Sequence, residues 1–250
     1  MSDDWSNILV QLGKDSRTGA QDARSDGDIP WQLYRDLAQE CMKRPFVIAQ
    51  IGQSLDGRIA TVSGHSHYIN GPESLDHLHR LRAIADAVIV GANTAVLDNP
   101  RLTTRRVPGP NPVRVVIDPK RRVPKDHALL TEPDAETLLV TGHDISELPL
   151  HCSALVQAGD PERVSPDILL DQLRSRGLRT ILIEGGGNTI SRFLSAGLID
   201  RLHIAVAPML IGSGRPGLVL PEIETLADAR RFEARTYTLG GDTLFDCRLN

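Results

Sequence analysis

Ile181-Leu182-Ile183-Glu184-Gly185-Gly186-Gly187-Asn188-Thr189 runs an apolar stretch into three glycines and on into a helical pattern closed by Gly197. The absence of apolar/polar alternation is what a strand covered on both faces requires. Glycine lets a phosphate or a nicotinamide approach the backbone, and the start of a helix offers unpaired N–H groups. A tight strand-to-helix turn without any ligand uses the same residues. Two features favour a dinucleotide cradle over that simple turn. Glu184 stands at the carboxyl end of the strand, where open α/β sheets hold ligands. A second flexible loop, Ile211-Gly212-Ser213-Gly214-Arg215-Pro216-Gly217, follows the next strand. The glycines do not follow the first strand, so this is not a Rossmann fingerprint, and no Walker lysine follows them.

Outward from this turn, short apolar runs alternate with helical patterns. Strands are expected at 46–50, 87–91, 113–118, 137–141, 154–157, 180–183 and 202–207. Asn70-Gly71-Pro72-Glu73 reads as a helix start, with Leu75, Leu78, Leu81 and Ala85 as its apolar stripe. Ser165-Pro166-Asp167 starts another helix, burying Ile168, Leu169 and Leu173 and stopping at Gly177. A third helix covers 188–196. Residues 232–239, Gly240-Gly241-Asp242 and 243–249 form a hairpin signature. The expected fold is an α/β three-layer sandwich whose mostly parallel sheet ends in an antiparallel hairpin.

Residues 1–44 read as an extension, with 45–250 as the domain. Gly13–Gly19 and Ser25–Asp28 are polar and turn-rich, and Trp31, Leu33, Tyr34, Leu37 and Ala38 give one short amphipathic helix. The 250 residues hold 28 basic and 32 acidic side chains, a net charge of −4, with 40% hydrophobic and 4% aromatic residues. This balance points away from a nucleic-acid surface, and no apolar run reaches membrane length. The acidic Met1-Ser2-Asp3-Asp4 start is not a secretory signal. Cys41, Cys152 and Cys247 are isolated and odd in number, which suits a reducing, cytoplasmic compartment. His65-Ser66-His67 and His77-Leu78-His79 lack the spacing of a metal site, so no metal is expected. A surface or supporting role is expected for these histidines, with the first pair flanking Ser66. His203 carries no signal.

Two further segments sit beyond expected strands. Ser54-Leu55-Asp56-Gly57-Arg58-Ile59-Ala60 alone is a turn. Residues 91–105 bring Asn93, Thr94, Asp98, Arg101, Thr103 and Arg105 together, with arginine able to fork onto a phosphate. These motifs, with Pro112–Asp118 and Ile183-Glu184-Gly185-Gly186, together resemble the riboflavin-biosynthesis pyrimidine reductases, which have a dihydrofolate-reductase-like fold. The resemblance covers about residues 45–250 in unbroken motif order.

The resemblance implies an NADPH-dependent reduction of a ribosylamino group to a ribitylamino group on a phosphorylated pyrimidine. By position it puts Gly52, Tyr68, Thr94, Asp98, Gly185, Gly186, Gly187, Asn188 and Thr189 at the cofactor. It puts Ser66, Arg82, Leu102, Arg105 and Glu184 at the substrate, and makes Glu184 and Asp56 the candidate catalytic carboxylates. A homodimer is implied too. Lys120-Arg121-Arg122 is a candidate for the adenosine 2′-phosphate, or a solvated basic turn. Gln50 stands where many bacterial relatives carry lysine, and Tyr68 where they often carry tryptophan. The deaminase signature of the bifunctional relatives is missing. Two other readings stay open: a reductase of another pterin- or pyrimidine-like compound, and a non-catalytic nucleotide-binding relative.

Overall fold

The computed structural model describes residues 3–14, 29–67, 69–142, 147–157 and 163–249. Its strands are β1 (Phe46–Ser54), β2 (Arg58–Ala60), β3 (Ala87–Gly91), β4 (Val113–Ile117), β5 (Thr137–Thr141) and β6 (Cys152–Val156). They continue with β7 (Thr180–Glu184), β8 (Arg201–Ala207), β9 (Arg215–Pro216), β10 (Glu233–Leu239) and β11 (Asp242–Arg248). The helices are α1 (Asp3–Gln11), α2 (Trp31–Lys43), α3 (Pro72–Ile84), α4 (Ala92–Asp98), α5 (Ala128–Thr131), α6 (Pro166–Ser175) and α7 (Gly187–Ser195).

Nine strands form one sheet in the order β10-β11-β8-β1-β7-β3-β4-β5-β6. Every pairing from β8 to β6 is parallel, while β11 and β10 add antiparallel. Alternate side chains of the inner strands enter different cores. Ile48, Val88, Val90 and Leu182 pack on one face with α2 and α3, while Val47, Ala49, Ile89 and Ile183 pack on the other with α6 and α7. Covering on both faces is why these strands lack alternation in sequence.

Several expectations need correction. Ile168 is exposed rather than buried, and so is Leu75 on α3. The buried side of α3 is instead largely polar, with Ser74, Asp76, His77, His79, Arg80 and Arg82 all below a tenth exposed. Residues 92–98, for which no helix is expected, form α4, and β2 pairs with β9 in a small separate ladder. β6 begins two residues before the expected strand. Ahead of the expected helix α2, whose apolar stripe is buried as anticipated, α1 buries Trp5, Ile8 and Leu9 in the core shared with α3. Much of the polar stretch ahead of α2, residues 15–28, lies outside the described residues. All three cysteines are free and buried. Among the described residues, no helix is long and apolar enough to cross a membrane.

Candidate active site

The carboxyl ends of β1, β7, β3 and β4 face the same way and open onto a cavity of about 770 Å³. Gln50 and Gly52 reach it from β1, Gly91 from β3, Ile117 from β4 and Glu184 from β7. Residues 185–189 form one wall with Asn93, Thr94 and Asp98 of α4, and Ile59, Ala60, Arg215 and Pro216 form the brim. A second cavity of about 500 Å³ shares Ser66, His67, Asp98 and Pro100 with the first, and adds Asn99, Arg101 and Arg105.

The glycine wall is made locally. Gly185 has φ +93°, a conformation that side chains disfavour. The Gly186 N–H donates to Thr94 Oγ1 at 2.9 Å, tying the turn to α4. A Cβ on Gly187 would overlap the carbonyl oxygen of Gly217, so this glycine also makes room for the opposite loop. Gly187 and Asn188 open α7 beside the cavity, where a helix start turns its amides outward, while the Thr189 N–H donates back to the Gly186 carbonyl at 3.0 Å.

The opposite wall is made by α3 and the loop after α4. Arg82 Nε donates to Glu184 Oε1 and Nη2 to Glu184 Oε2, both at 2.7 Å, and Nη1 donates to the Thr103 carbonyl at 3.1 Å. Both partners are buried, and the fork fixes the carboxylate at the end of β7. The Arg82 guanidinium is thus engaged with Glu184 and the Thr103 carbonyl. Leu102, buried and cavity-lining, sits at φ +56°, an unusual conformation for leucine.

Arg105 differs from its neighbours. Arg101 pairs with Glu132 at 2.9 Å and Arg106 with Asp76 at 2.5 Å, whereas Arg105 has no carboxylate partner among the described residues. Burial lowers its pKa, and the charges of Arg82 and Arg101 lower it further. Its backbone N–H donates to His79 Nδ1 at 3.0 Å. Burial, with Arg82, Arg105 and Arg106 nearby, holds His79 down at about 2, so the ring is a neutral acceptor. His79, expected in a surface or supporting role, is buried and supports the Arg105 backbone; its i, i+3 spacing to Arg82 on one helix is the signal that points to this. Burial also raises the pKa of Asp98, against the opposing influence of His67 and Arg215.

Of the candidate residues, Gly52, Thr94, Asp98, 185–189, Ser66, Arg82, Leu102 and Glu184 all line the first cavity, and Arg105 the second. Asp56 is not brought to either. Its carboxylate accepts the Ser54 hydroxyl at 2.5 Å and the N–H groups of Ile211 and Gly212 at 3.2 and 2.7 Å. Those hydrogen bonds, Ser54's foremost, hold it at about 2. Tyr68 lies outside the described residues. In the basic triplet only Arg122 lines the cavity, donating to Asn93 Oδ1 at 2.7 Å. Gln50, in register with Glu184, occupies the adjacent strand end.

The sequence model of the RibD C-terminal domain matches residues 45–244. The chain belongs to the RibD C-terminal domain family. A relative named 2,5-diamino-6-ribosylamino-4(3H)-pyrimidinone 5′-phosphate reductase, from Methanothermobacter thermautotrophicus, is 39% identical over 215 residues, covering 81% of this chain and 97% of its own. The riboflavin biosynthesis protein RibD of Aquifex aeolicus is 34% identical over 173 residues, covering 69% of this chain and 49% of that one. The chain therefore spans nearly all of the archaeal reductase but about half of the bacterial RibD. In structure, Acinetobacter baumannii RibD superposes with a TM-score of 0.74 at 28% identity, over 87% of this chain and 63% of that one.

Proposed function

We propose that this chain is an NADPH-dependent reductase of riboflavin biosynthesis, converting the ribosylamino group of a phosphorylated aminopyrimidine to the ribitylamino form. One observation supports the reading above the others. The glycine wall and the Arg82–Glu184 fork line one cavity, and Arg105, with no carboxylate partner among the described residues, lines its annex.

The residues present suit a dinucleotide phosphate. The turn at 185–187 leaves backbone next to open space, and the start of α7 favours an anion. Arg122 and Arg215, at the cavity mouth, add positive charge; Arg122 is the candidate for the 2′-phosphate. When bound, the reduced nicotinamide supplies hydride to the electrophilic carbon of the ring-opened substrate.

The chain's own residues then bind, orient and exclude water. Each Glu184 oxygen accepts one Arg82 hydrogen and retains a lone pair for the pyrimidine's amino groups. Gln50 offers an amide donor and acceptor beside it, without the charge of a lysine. Arg105 and the Ser66 hydroxyl, which line the second cavity, are the candidates for the substrate phosphate. Asp98 stands at the junction of the two cavities, where its carboxyl can meet a sugar hydroxyl, and burial raises its pKa above the ordinary carboxyl value.

The partner proposed is a second copy of the chain. The edge strand β10 is mostly exposed, and Leu210, Val219, Ile223 and Leu226 expose apolar surface in the segment ahead of it. Three reduced, buried thiols accord with a cytoplasmic setting. The activity is tested by NADPH oxidation with the 2,5-diamino ribosylaminopyrimidinone phosphate, its deaminated counterpart, and a dihydropterin. Turnover of either pyrimidine is expected; turnover of the dihydropterin alone, or tight NADPH binding with no turnover of the three, overturns the reading. Sedimentation at micromolar concentration tests the dimer, and a monomer there would remove it.

A further inference from the structure

Behind the substrate wall, α3 is held by a segment outside the family's domain. The family match begins at residue 45, and 97% of the archaeal reductase is matched by only 81% of this chain. Ahead of residue 45, Trp5 of α1 and Trp31 and Tyr34 of α2 surround the guanidinium of Arg80. Its central carbon stands 5.9, 5.7 and 5.6 Å from the three ring centroids. Arg80 is buried, so these cation–π contacts act with little water to weaken them.

Three hydrogen bonds extend this hold. The Tyr34 hydroxyl meets His77 Nδ1 at 2.8 Å, and His77 Nε2 meets His203 Nδ1 of β8 at 3.0 Å. Trp5 Nε1 donates to the Pro108 carbonyl at 2.7 Å, in the loop that carries Arg105. The spacing along α3 connects this back surface to the site. His77 and Arg80, three apart, meet the N-terminal helices; His79 and Arg82, also three apart, meet Arg105 and Glu184. A rotation of α3 that shifted one pair would shift the other.

We propose that α1 and α2 are a positioning element for the substrate half of the site, with Arg80, Tyr34 and Trp5 as its positioning residues. The aromatic cage and the Tyr34–His77 bond set the rotation of α3, and the Trp5–Pro108 bond sets the Arg105 loop. The inference rests on the reading of the site given under Proposed function.

In the full-length chain, Arg80→Met removes the cation at similar length, Arg80→Lys restores it, Tyr34→Phe removes one hydroxyl, and Trp5→Phe removes one N–H. For Arg80→Met the KM for the pyrimidine phosphate is expected to rise about tenfold or more, since small misplacements are costly. The KM for NADPH should stay unchanged, because the glycine wall is fastened by Thr94 and packs against Gly217, and Arg80→Lys should recover most of the loss. Tyr34→Phe and Trp5→Phe, the gentler changes, should show the same one-sided shift if Arg80→Met does not fold. Unchanged values, or both KM values rising together, overturn the proposal. Hydrogen exchange on the same variants reads the positioning without turnover. Faster exchange in α3 and residues 103–106, with α7 unchanged, supports it even if the pyrimidine proves not to be the substrate; no change there overturns it.

Discussion

The wall carrying Gly185–Asn188 and the wall carrying Arg82 and His79 face the same cavity but take their order from different sources. The first is local: a covered strand, a left-handed glycine and a helix start, fixed within a few residues and tied once to Thr94. The second is assembled from distant segments, with α3 held by Glu184 from β7, by Tyr34 from α2, and by Asp242, which accepts from the Gly71 N–H and the Ser74 hydroxyl. A local wall tolerates change elsewhere in the chain, save in the loop at Gly217 that packs on Gly187. A composite wall is sensitive to every segment that touches it, and buried charge raises the cost of each error.

That contrast can be broken in several ways. The largest effect is expected from Glu184→Ala, which strands Arg82 in a buried site. Unfolding stability should fall by about 3–5 kcal/mol, with activity lost by at least about a hundredfold. Urea titration and turnover measure both, and a well-folded, active variant would mean that the fork is dispensable. Arg105→Ala should raise the KM for the phosphorylated substrate by about thirtyfold, or roughly 2 kcal/mol, with NADPH affinity unchanged. An unaltered KM removes Arg105 from the phosphate site.

The local wall can be probed by one pair of substitutions. Gly187→Ala forces a Cβ into Gly217, whereas a Cβ at Gly186 meets Thr94 Oγ1 at 3.3 Å, a contact that a small shift relieves. NADPH affinity, read by fluorescence quenching, should drop about tenfold for the former and much less for the latter. Equal effects would show that ligand approach, not loop packing, sets the need for glycine.

Acid should act on the composite wall first. Burial holds His77, His79 and His203 below the ordinary histidine value of 6.5. The unfolded chain takes up these protons near 6.5 and the folded one does not, so stability is complete above that pH and lost below it. The slope is about 1.4 kcal/mol per pH unit for each histidine. For Asp246, burial pushes the carboxyl up but bonds from His203 and Arg201 outweigh it and hold it at about 2, so its contribution fades only below 3.8. Urea midpoints from about pH 7.5 to 5 should therefore decline, and a flat profile contradicts the neutral histidines. The smallest effect is expected from Asp56→Asn. If the carboxylate only fastens residues 211–212, kcat stays within about twofold; a large loss would return Asp56 to the chemistry.

This contrast also explains what could be read from the sequence. The sheet, the hairpin and the glycine wall follow from runs and turns within ten residues, and the structure places them where those signals lie. The helical pattern of 72–84 was legible, but not that its inward face is polar, because the partners of Ser74, His77 and Arg82 lie 168, 126 or 43, and 102 residues away. Apolarity alone puts Leu75 and Ile168 inward, but on α3 polar groups with distant partners take the buried side, and on α6 Leu169, Leu170 and Leu173 take it. Residues 92–98 escaped as a helix because seven residues give too little periodicity to detect.

The near-contact of Gly187 with the Gly217 carbonyl has a practical corollary. The rim of the cradle and the strip bearing Arg215 meet backbone to backbone there: a side chain on Gly187 would fall on the Gly217 carbonyl, and one on Gly217 would crowd Gln53 of β1. Anyone grafting a different cofactor preference onto this scaffold would have to transplant both stretches at once, for neither fits against a stranger.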